Sequence, residues 1–266
     1  MADLFLKQPK EYAEGRPAYP QQLFDFIASK TPSHHLAWDV GTGSGQAARS
    51  LADIYSNVVA TDTSPNQLEH AEKLPNIAYR CTPPKMSTPE LRRDVGSESS
   101  FDVVTVAQAL HWFDLPTFYE QARYVLKKPD GVVAAWCYTL PEVSPEVDSV
   151  LRRYYSEDTE PYWDPARSLV DRKYETVDFP FEAVDGCDHT GPFRFDAEKG
   201  MDLEGYLTYL KSWSAYQTAK EKGVCLLGGD VVRRFEKAWN DHGPPQKVAT
   251  FPVYLRIGKV GSLQNE

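Results

Sequence analysis

The chain has 266 residues and a formal net charge of −9 at pH 7, with 41% hydrophobic and 25% charged residues. This composition is typical of a globular protein, and the length predicts one hydrophobic core with a smaller appended lobe. The acidic balance, with a pI near 5.2, argues against a nucleic-acid-binding protein. Such proteins need clustered positive charges to meet phosphates, and the basic residues here form only isolated pairs.

Cysteine spacing and the start of the chain bear on the compartment. The first ten residues lack the apolar segment of a signal peptide, and no apolar run approaches the roughly 18 residues of a membrane span. The histidines show no metal-binding spacing, so no metal site is predicted. The cysteines form no C-x-x-C pair, which favours free thiols and a cytoplasmic location without a membrane partner (Cys81, Cys137, Cys187 and Cys225).

The first predicted element is a strand over residues 36–40, which contains Asp39 and runs into a glycine-rich turn. Such a turn between a strand and a helix presents backbone N–H groups to a ligand. The dinucleotide fingerprint reads G-x-G-x-x-G, whereas this turn reads G-x-G-x-G, at Gly41, Gly43 and Gly45. The pattern resembles motif I of class I S-adenosylmethionine (SAM)-dependent methyltransferases. The resemblance implies that Asp39 and the loop amides hold the methionine half of SAM.

A helix over 46–55 and a strand over 58–61 follow, and the strand leads into Asp62. In Rossmann-like folds an acid about 20 residues beyond the first strand accepts hydrogen bonds from ribose hydroxyls. We therefore expect Asp62 and the adjacent Thr63 to contact the cofactor, with a loop-capping aspartate as the alternative. Ser64 predicts the start of the next helix, with Pro65 at its first position and Gln67 closing a capping box.

The third predicted strand, over 77–80, precedes a stretch that would lie near the adenine of the cofactor. Many members of the resembled family carry an acid there, and this chain has Lys85 instead. The resemblance then implies that adenine is held by backbone groups and by apolar contact, and we include Thr82 and Met86 among the expected cofactor residues, with Pro84 as an alternative to Met86.

The fourth predicted strand, over 101–107, is followed by Gln108-Ala-Leu-His-Trp-Phe113. This segment resembles the strand-four motif of methyltransferase-11-type proteins, above all the trans-aconitate-methyltransferase-like group with its embryo-abundant-type members. The resemblance covers roughly residues 10–140 and implies that Gln108 contacts the cofactor. His111 is expected to act as a base or to position the acceptor, and both roles stay open. Trp112 is expected to line the acceptor pocket.

The N-terminal stretch Tyr12-Ala-Glu-Gly-Arg-Pro-Ala-Tyr-Pro20 resembles a segment of the same group that folds over the cofactor. The resemblance implies that Tyr12 and Tyr19 close over the amino-acid end of SAM. Arg16 is the candidate for gripping an acidic substrate, because a guanidinium holds a carboxylate through two hydrogen bonds. A surface arginine paired with a neighbouring glutamate is the alternative.

A helix over 116–126 and a strand over 132–138 complete the β/α alternation, and a last strand is predicted over 247–260. Between them lie helical stretches (146–155, 203–213 and 231–239) and aromatic-rich loops. Tyr138, Trp163 and Trp213 are the candidates for contacting a substrate, although aromatic residues on one helical face more often form core. The predicted domains are an N-terminal cap, a SAM-binding core, a mostly helical lid, and a final strand with a tail (1–35, 36–140, 141–245 and 246–266).

These observations predict an α/β fold with a seven-stranded, mostly parallel Rossmann-like sheet, helices on both faces and a mostly helical lid before the last strand. The predicted activity is SAM-dependent methylation of a small organic molecule, most simply at a carboxylate oxygen, without a nucleic-acid or membrane partner. Alternatives are methylation of a phenolic or amine metabolite and a SAM-binding protein without turnover. An NAD-type oxidoreductase fits less well because of the glycine spacing. The oligomeric state stays open.

Overall fold

The structure is a computed structural model that describes residues 16–241 and 243–261. Its centre is a seven-stranded sheet with the order β3-β2-β1-β4-β5-β7-β6. Strands β1 to β5 pair in parallel, and β7 runs antiparallel to β5. The strands are β1 (Leu36–Val40), β2 (Asn57–Asp62), β3 (Ile77–Cys81), β4 (Val103–Ala107), β5 (Val132–Tyr138), β6 (Phe193–Met201) and β7 (Lys247–Lys259).

Ten α-helices lie in the described residues, together with short 3₁₀ and π turns. No helix in the described part of the chain is both long and apolar enough to cross a bilayer. The helices are α1 (Gln21–Ser29), α2 (Gln46–Ala52), α3 (Pro65–Glu69), α4 (Thr88–Asp94), α5 (Leu115–Val125), α6 (Pro145–Arg153), α7 (Arg167–Asp171), α8 (Leu203–Lys211), α9 (Ser214–Glu221) and α10 (Gly229–Asn240).

The chain forms two compact units. The larger unit comprises residues 19–138, 168–195 and 253–261, and its core packs on the central strands. Every residue of β5 is buried, as expected for an apolar strand that lies between two other strands and is covered on both faces. The smaller unit comprises residues 16–18, 139–167 and 196–252, and its own core joins Tyr154, Tyr206, Phe235 and Trp239.

The seven-stranded, mostly parallel sheet is the predicted fold class. The first five strands begin and end within two residues of their predicted bounds, and the last strand ends one residue early. The helix after the glycine-rich turn ends at Ala52 instead of residue 55. Ser64 caps α3 by accepting a hydrogen bond from the Gln67 amide, which confirms the first half of the predicted capping box. The sequence did not predict β6, which lies inside the segment expected to be mostly helical.

Candidate active site

The glycine-rich turn joins the end of β1 to the start of α2 in the larger unit. Gly43 and Gly45 have φ values of +58° and +84°, in the left-handed region that glycine adopts without strain. A Cβ on Gly45 would lie 2.5 Å from the Tyr79 hydroxyl, so a larger residue does not fit there. A Cβ on Gly43 would meet no heavy atom within 4 Å. The space beside the Cα of Gly43 is therefore open.

Asp39 is fully buried beneath this turn. The Thr42 hydroxyl donates to its Oδ2 at 2.5 Å, and the Thr105 hydroxyl donates to its Oδ1 at 2.7 Å. Burial raises the pKa of Asp39 to about 6, against the lowering effect of these hydrogen bonds. Its carboxylate thus links Thr42 of the turn to Thr105 of β4. The expected contact of Asp39 with the cofactor stays a prediction.

Asp62 ends β2 and holds the same turn from a second side. Its Oδ2 accepts a hydrogen bond from the Gly43 amide and its Oδ1 from the Ser64 amide, both at 2.8 Å. Burial raises the pKa of this carboxyl group, and backbone donors, Thr63 included, oppose the rise. The Thr82 amide donates to the Asp62 carbonyl at 3.0 Å, which brings the ends of β2 and β3 together. Four of the predicted cofactor residues therefore lie together at the carboxyl ends of the parallel strands: Gly43, Asp62, Thr63 and Thr82.

Gln108 links the carboxyl ends of β4 and β5. It adopts a φ of +55°, and its side-chain Oε1 accepts a hydrogen bond from the Tyr138 amide at 2.8 Å. The Gln108 amide in turn donates to the Trp136 carbonyl at 2.8 Å. Gln108 thus fixes the chain just before His111, and a cofactor contact for it stays a prediction.

His111 and Trp112 lie on a 3₁₀ turn directly after this point, with their ring centroids 4.5 Å apart. The His111 Nδ1 is 2.9 Å from the hydroxyl oxygen of Tyr174. Tyr174 is fully buried and is not among the site residues that the sequence predicts. In the sequence, Tyr174 is one aromatic residue in a charged stretch, and this pattern does not indicate that its partner is His111, 63 positions away.

Tyr19 and Tyr138 belong to an aromatic wall beside β5. The Tyr19 ring packs edge-on against Trp136 at 5.4 Å and lies 6.4 Å from Tyr138. Tyr12, the other tyrosine expected over the cofactor, lies outside the described residues. Tyr19 and Tyr138 are therefore neighbours in the larger unit, and their expected contacts with the cofactor and the substrate stay predictions.

The segment after β3 carries Lys85 and Met86. Lys85 forms an ion pair with Asp114, the residue that caps α5 by accepting from the Thr117 amide. The lysine that replaces the usual acid therefore has a structural partner. The side chain of Met86 packs on the core, and its carbonyl accepts from Gln121 at 2.8 Å, so its expected adenine contact stays a prediction.

The remaining predicted substrate residues belong to the smaller unit. The Trp163 and Trp213 rings are 5.4 Å apart, and Tyr155 packs against both. The Arg167 guanidinium lies 4.8 Å from the Trp163 ring centre. Arg16 donates from Nη2 to the Ser212 carbonyl at 2.9 Å, and its guanidinium is 5.7 Å from the Tyr209 ring. Tyr209 packs edge-on against Trp213 at 5.7 Å, so Arg16 adjoins the aromatic cluster of Tyr155, Trp163 and Trp213.

The residues of the larger unit fit SAM. The space beside the Cα of Gly43 is open, and the buried Ser44 hydroxyl in the same turn has no hydrogen-bond partner among the described residues. The Asp62 carboxylate stands at the position from which Rossmann-like folds bind a ribose. Within residues 16–241 and 243–261, no three His, Cys, Asp or Glu side chains come close enough to hold a metal ion.

Comparison with known proteins identifies the family. Residues 38–135 match the type 11 methyltransferase domain family. A protein from Dictyostelium discoideum named as a methyltransferase is 32% identical over 97% of this chain and 95% of its own length. A protein from Saccharomyces cerevisiae named as a SAM-dependent methyltransferase is 31% identical over 54% of this chain and 50% of its own.

A solved structure gives the same result for the fold. A chain from Anaeromyxobacter dehalogenans, described as a type II methyltransferase, aligns with a TM-score of 0.78 and 32% identity over 93% of this chain and 99% of its own. The glycine-rich turn, Asp62 and the strand order thus occur in a chain with methyltransferase relatives along nearly its whole length. The chain belongs to the class I SAM-dependent methyltransferases and is an enzyme with SAM as its cofactor.

Proposed function

We propose that this enzyme methylates a carboxylate oxygen of a small organic acid, as a member of the trans-aconitate-methyltransferase-like group. The group assignment rests on two motifs, the segment from Gln108 to Phe113 and the stretch from Tyr12 to Pro20. A small acceptor agrees with the net charge of −9, which disfavours nucleic acid, and with the aromatic residues of the smaller unit.

The observation that carries the acid is the setting of Arg16. Its half-buried guanidinium is held by a backbone carbonyl and faces an aromatic ring next to the aromatic cluster. A guanidinium keeps its positive charge beside aromatic rings and offers paired N–H donors that match a carboxylate. Loss of a hydrogen bond to a charged group weakens binding about 10- to 100-fold.

A carboxylate acceptor also suits the chemistry of the site. A carboxylic acid with a pKa near 4 is ionised at neutral pH, so the enzyme needs no base. When bound, SAM supplies an activated methyl group: a carboxylate lone pair forms the new O–C bond while the S–C bond breaks, leaving a methyl ester and a neutral thioether. The enzyme's own residues then have to orient the acceptor and exclude water.

The test is a methyl-transfer assay with purified enzyme and methyl-labelled SAM on a panel of small carboxylic acids, phenols and amines. We expect label in an alkali-labile methyl ester of at least one acid. Label confined to phenols or amines, or no transfer to any acid, would contradict the proposal.

Arg16→Gln provides a second test with the acid identified in the panel. We expect its KM for the acid to rise about 10- to 100-fold with little change in SAM affinity by calorimetry. Arg234→Gln is the matched control, because Arg234 is a half-buried arginine of the same unit that pairs with Asp158 instead of facing Tyr209. Equal effects of the two substitutions would remove Arg16 from the acceptor site.

A further inference from the structure

The pairing of His111 with Tyr174 is a feature that methyl transfer to a carboxylate does not by itself require. The two side chains meet at 2.9 Å, between Nδ1 of the imidazole and the phenol oxygen. His111 follows β4, and Tyr174 belongs to the segment after α7. Both residues lie in the larger unit.

Tyr174 is fixed in place by its own backbone. Lys173 and Tyr174 have φ values of +58° and +57°, which residues other than glycine seldom adopt. The Tyr174 carbonyl accepts a hydrogen bond at 2.7 Å from Arg256, a nearly buried residue of β7. Two consecutive residues in this conformation persist only where the surroundings hold them. The fold therefore maintains an unfavourable turn that brings one phenol to His111.

The hydrogen bond determines what the imidazole can do. A neutral imidazole carries one ring proton, on either Nδ1 or Nε2, and the partner of one nitrogen decides the state of the other. A phenol with its usual pKa near 10 is protonated at neutral pH and can donate. If the Tyr174 hydroxyl donates to Nδ1, the proton of His111 resides on Nε2.

We propose that Tyr174 is a positioning residue that holds His111 in the Nε2–H tautomer, so that His111 donates a hydrogen bond to the carboxylate of the acceptor. This inference rests on the proposed function, since an acceptor that is already a carboxylate has no proton to lose and benefits from a donor. No proton moves in the step: the Nε2 proton stays on nitrogen while the acceptor's other oxygen takes the methyl group. The arrangement resolves the two roles left open for His111 in favour of positioning.

Tyr174→Phe removes only the hydroxyl and keeps the buried ring. We expect kcat/KM for the acid to fall about 10-fold, with SAM affinity unchanged by calorimetry. Tyr119→Phe is the matched control, because Tyr119 packs in the same core and donates its hydroxyl to the Asp178 carbonyl instead. We expect the control to keep its kcat/KM within about twofold, and equal losses in the two variants would overturn the proposal.

Substitution of His111 separates a donor from a base. Gln carries an N–H donor at the end of a chain of similar reach but cannot take up a proton at neutral pH. We expect kcat/KM to fall about 10- to 100-fold in His111→Ala. His111→Gln should retain most of the activity that His111→Ala loses, and both variants should bind SAM. Equal inactivity of the two variants with SAM binding intact would contradict a donor role.

Nitrogen-15 NMR of histidine-labelled enzyme reads the tautomer without any acceptor. The His111 ring is assigned by the signal missing in His111→Gln. We expect a protonated Nε2 and an unprotonated Nδ1 in the wild-type enzyme and in Tyr119→Phe, and a mixture of tautomers in Tyr174→Phe. A proton on Nδ1 in the wild-type enzyme overturns the inference even if acids are methylated. The expected tautomer with no methylated acid instead contradicts the proposed function.

Discussion

Asp39 and Asp62, which lie near the ends of two strands, stabilise the glycine-rich turn through different hydrogen bonds. Asp39 points inward and receives side-chain hydroxyl donors, whereas Asp62 receives backbone amides on both sides. The inward acid has no exposed surface, and its burial is the main reason for its raised pKa. The two carboxylates therefore respond differently to substitution.

Asp39→Asn is predicted to remove a pH dependence of stability. The pKa of Asp39 is about 6 in the folded chain and 3.8 ordinarily, so the folded state binds a proton more tightly. The resulting stability is fully present below pH 3.8 and is lost as the pH rises through 6, a difference of about 3 kcal/mol. Asn resembles the protonated acid, and the Thr42 and Thr105 hydroxyls can rotate to meet it. The variant should match the wild-type chain near pH 4 and be more stable at pH 7.

Urea unfolding without SAM between pH 4 and 8 measures this difference. Asp25→Asn, on the exposed side of α1, serves as the control and should show no such divergence from the wild-type curve. A stability difference between Asp39→Asn and wild type that stays constant with pH would contradict the raised pKa.

At the scale of elements, Asp102 ties three of them together at the opposite ends of the strands from the glycine-rich turn. Its buried carboxylate accepts from the backbone amides of His35 and Leu36, where β1 begins. Lys127, just after α5, donates to it at 2.6 Å. One side chain thus joins the start of β1, the entry to β4 and the end of α5.

Asp102→Ala is predicted to lower the free energy of unfolding by about 3 kcal/mol, because it leaves two backbone donors and an ammonium group without their acceptor. Asp102→Asn keeps one acceptor oxygen and should lose about half as much. Glu98→Ala breaks the neighbouring ion pair between the exposed Glu98 and the half-buried Lys128 and should have no measurable effect. Urea unfolding checks all three, and similar losses in the Asp102 and Glu98 variants would refute the argument.

The elements that sequence predicts well here are those that local patterns determine. Strands β1, β4 and β5 are mostly apolar runs, and their bounds lie close to the predicted ones. Helix α3 has a local cap, and it begins where the sequence predicts. Strand β6 was missed because it carries Asp196, Glu198, Lys199 and Gly200, residues that disfavour strands, and forms the edge of the sheet.

The candidate site likewise contains features that local sequence determines and features that it does not. The glycine-rich turn and Asp62 could be predicted because spacing along the chain encodes them. The approach of Tyr174 to His111 and the inward course of Asp39 depend on tertiary packing, as does the bond between Gln108 and Tyr138. No local pattern specifies which residues meet across 30 or 63 positions.

At the scale of the whole molecule, the candidate residues divide between the two compact units. The larger unit contains the glycine-rich turn, Asp62 and the His111–Tyr174 pair, and the smaller unit contains Arg16 and the aromatic cluster. A cofactor held by the larger unit stabilises the folded chain by mass action, whatever the acceptor is. Thermal unfolding therefore reports on the cofactor site independently of catalysis.

SAM at 100 times its Kd should add about 2.7 kcal/mol to the free energy of unfolding. For a chain of this size that corresponds to a rise in Tm of about 5–10 °C. Asp62→Ala should lose most of this rise, because it removes the acceptor of the Gly43 amide as well as the expected ribose contact. Asp102→Asn, whose change lies at the other ends of the strands, should melt at a lower temperature but gain the full rise. Calorimetric scans with and without SAM measure the shifts, and an undiminished rise in Asp62→Ala would show that SAM does not use this carboxylate.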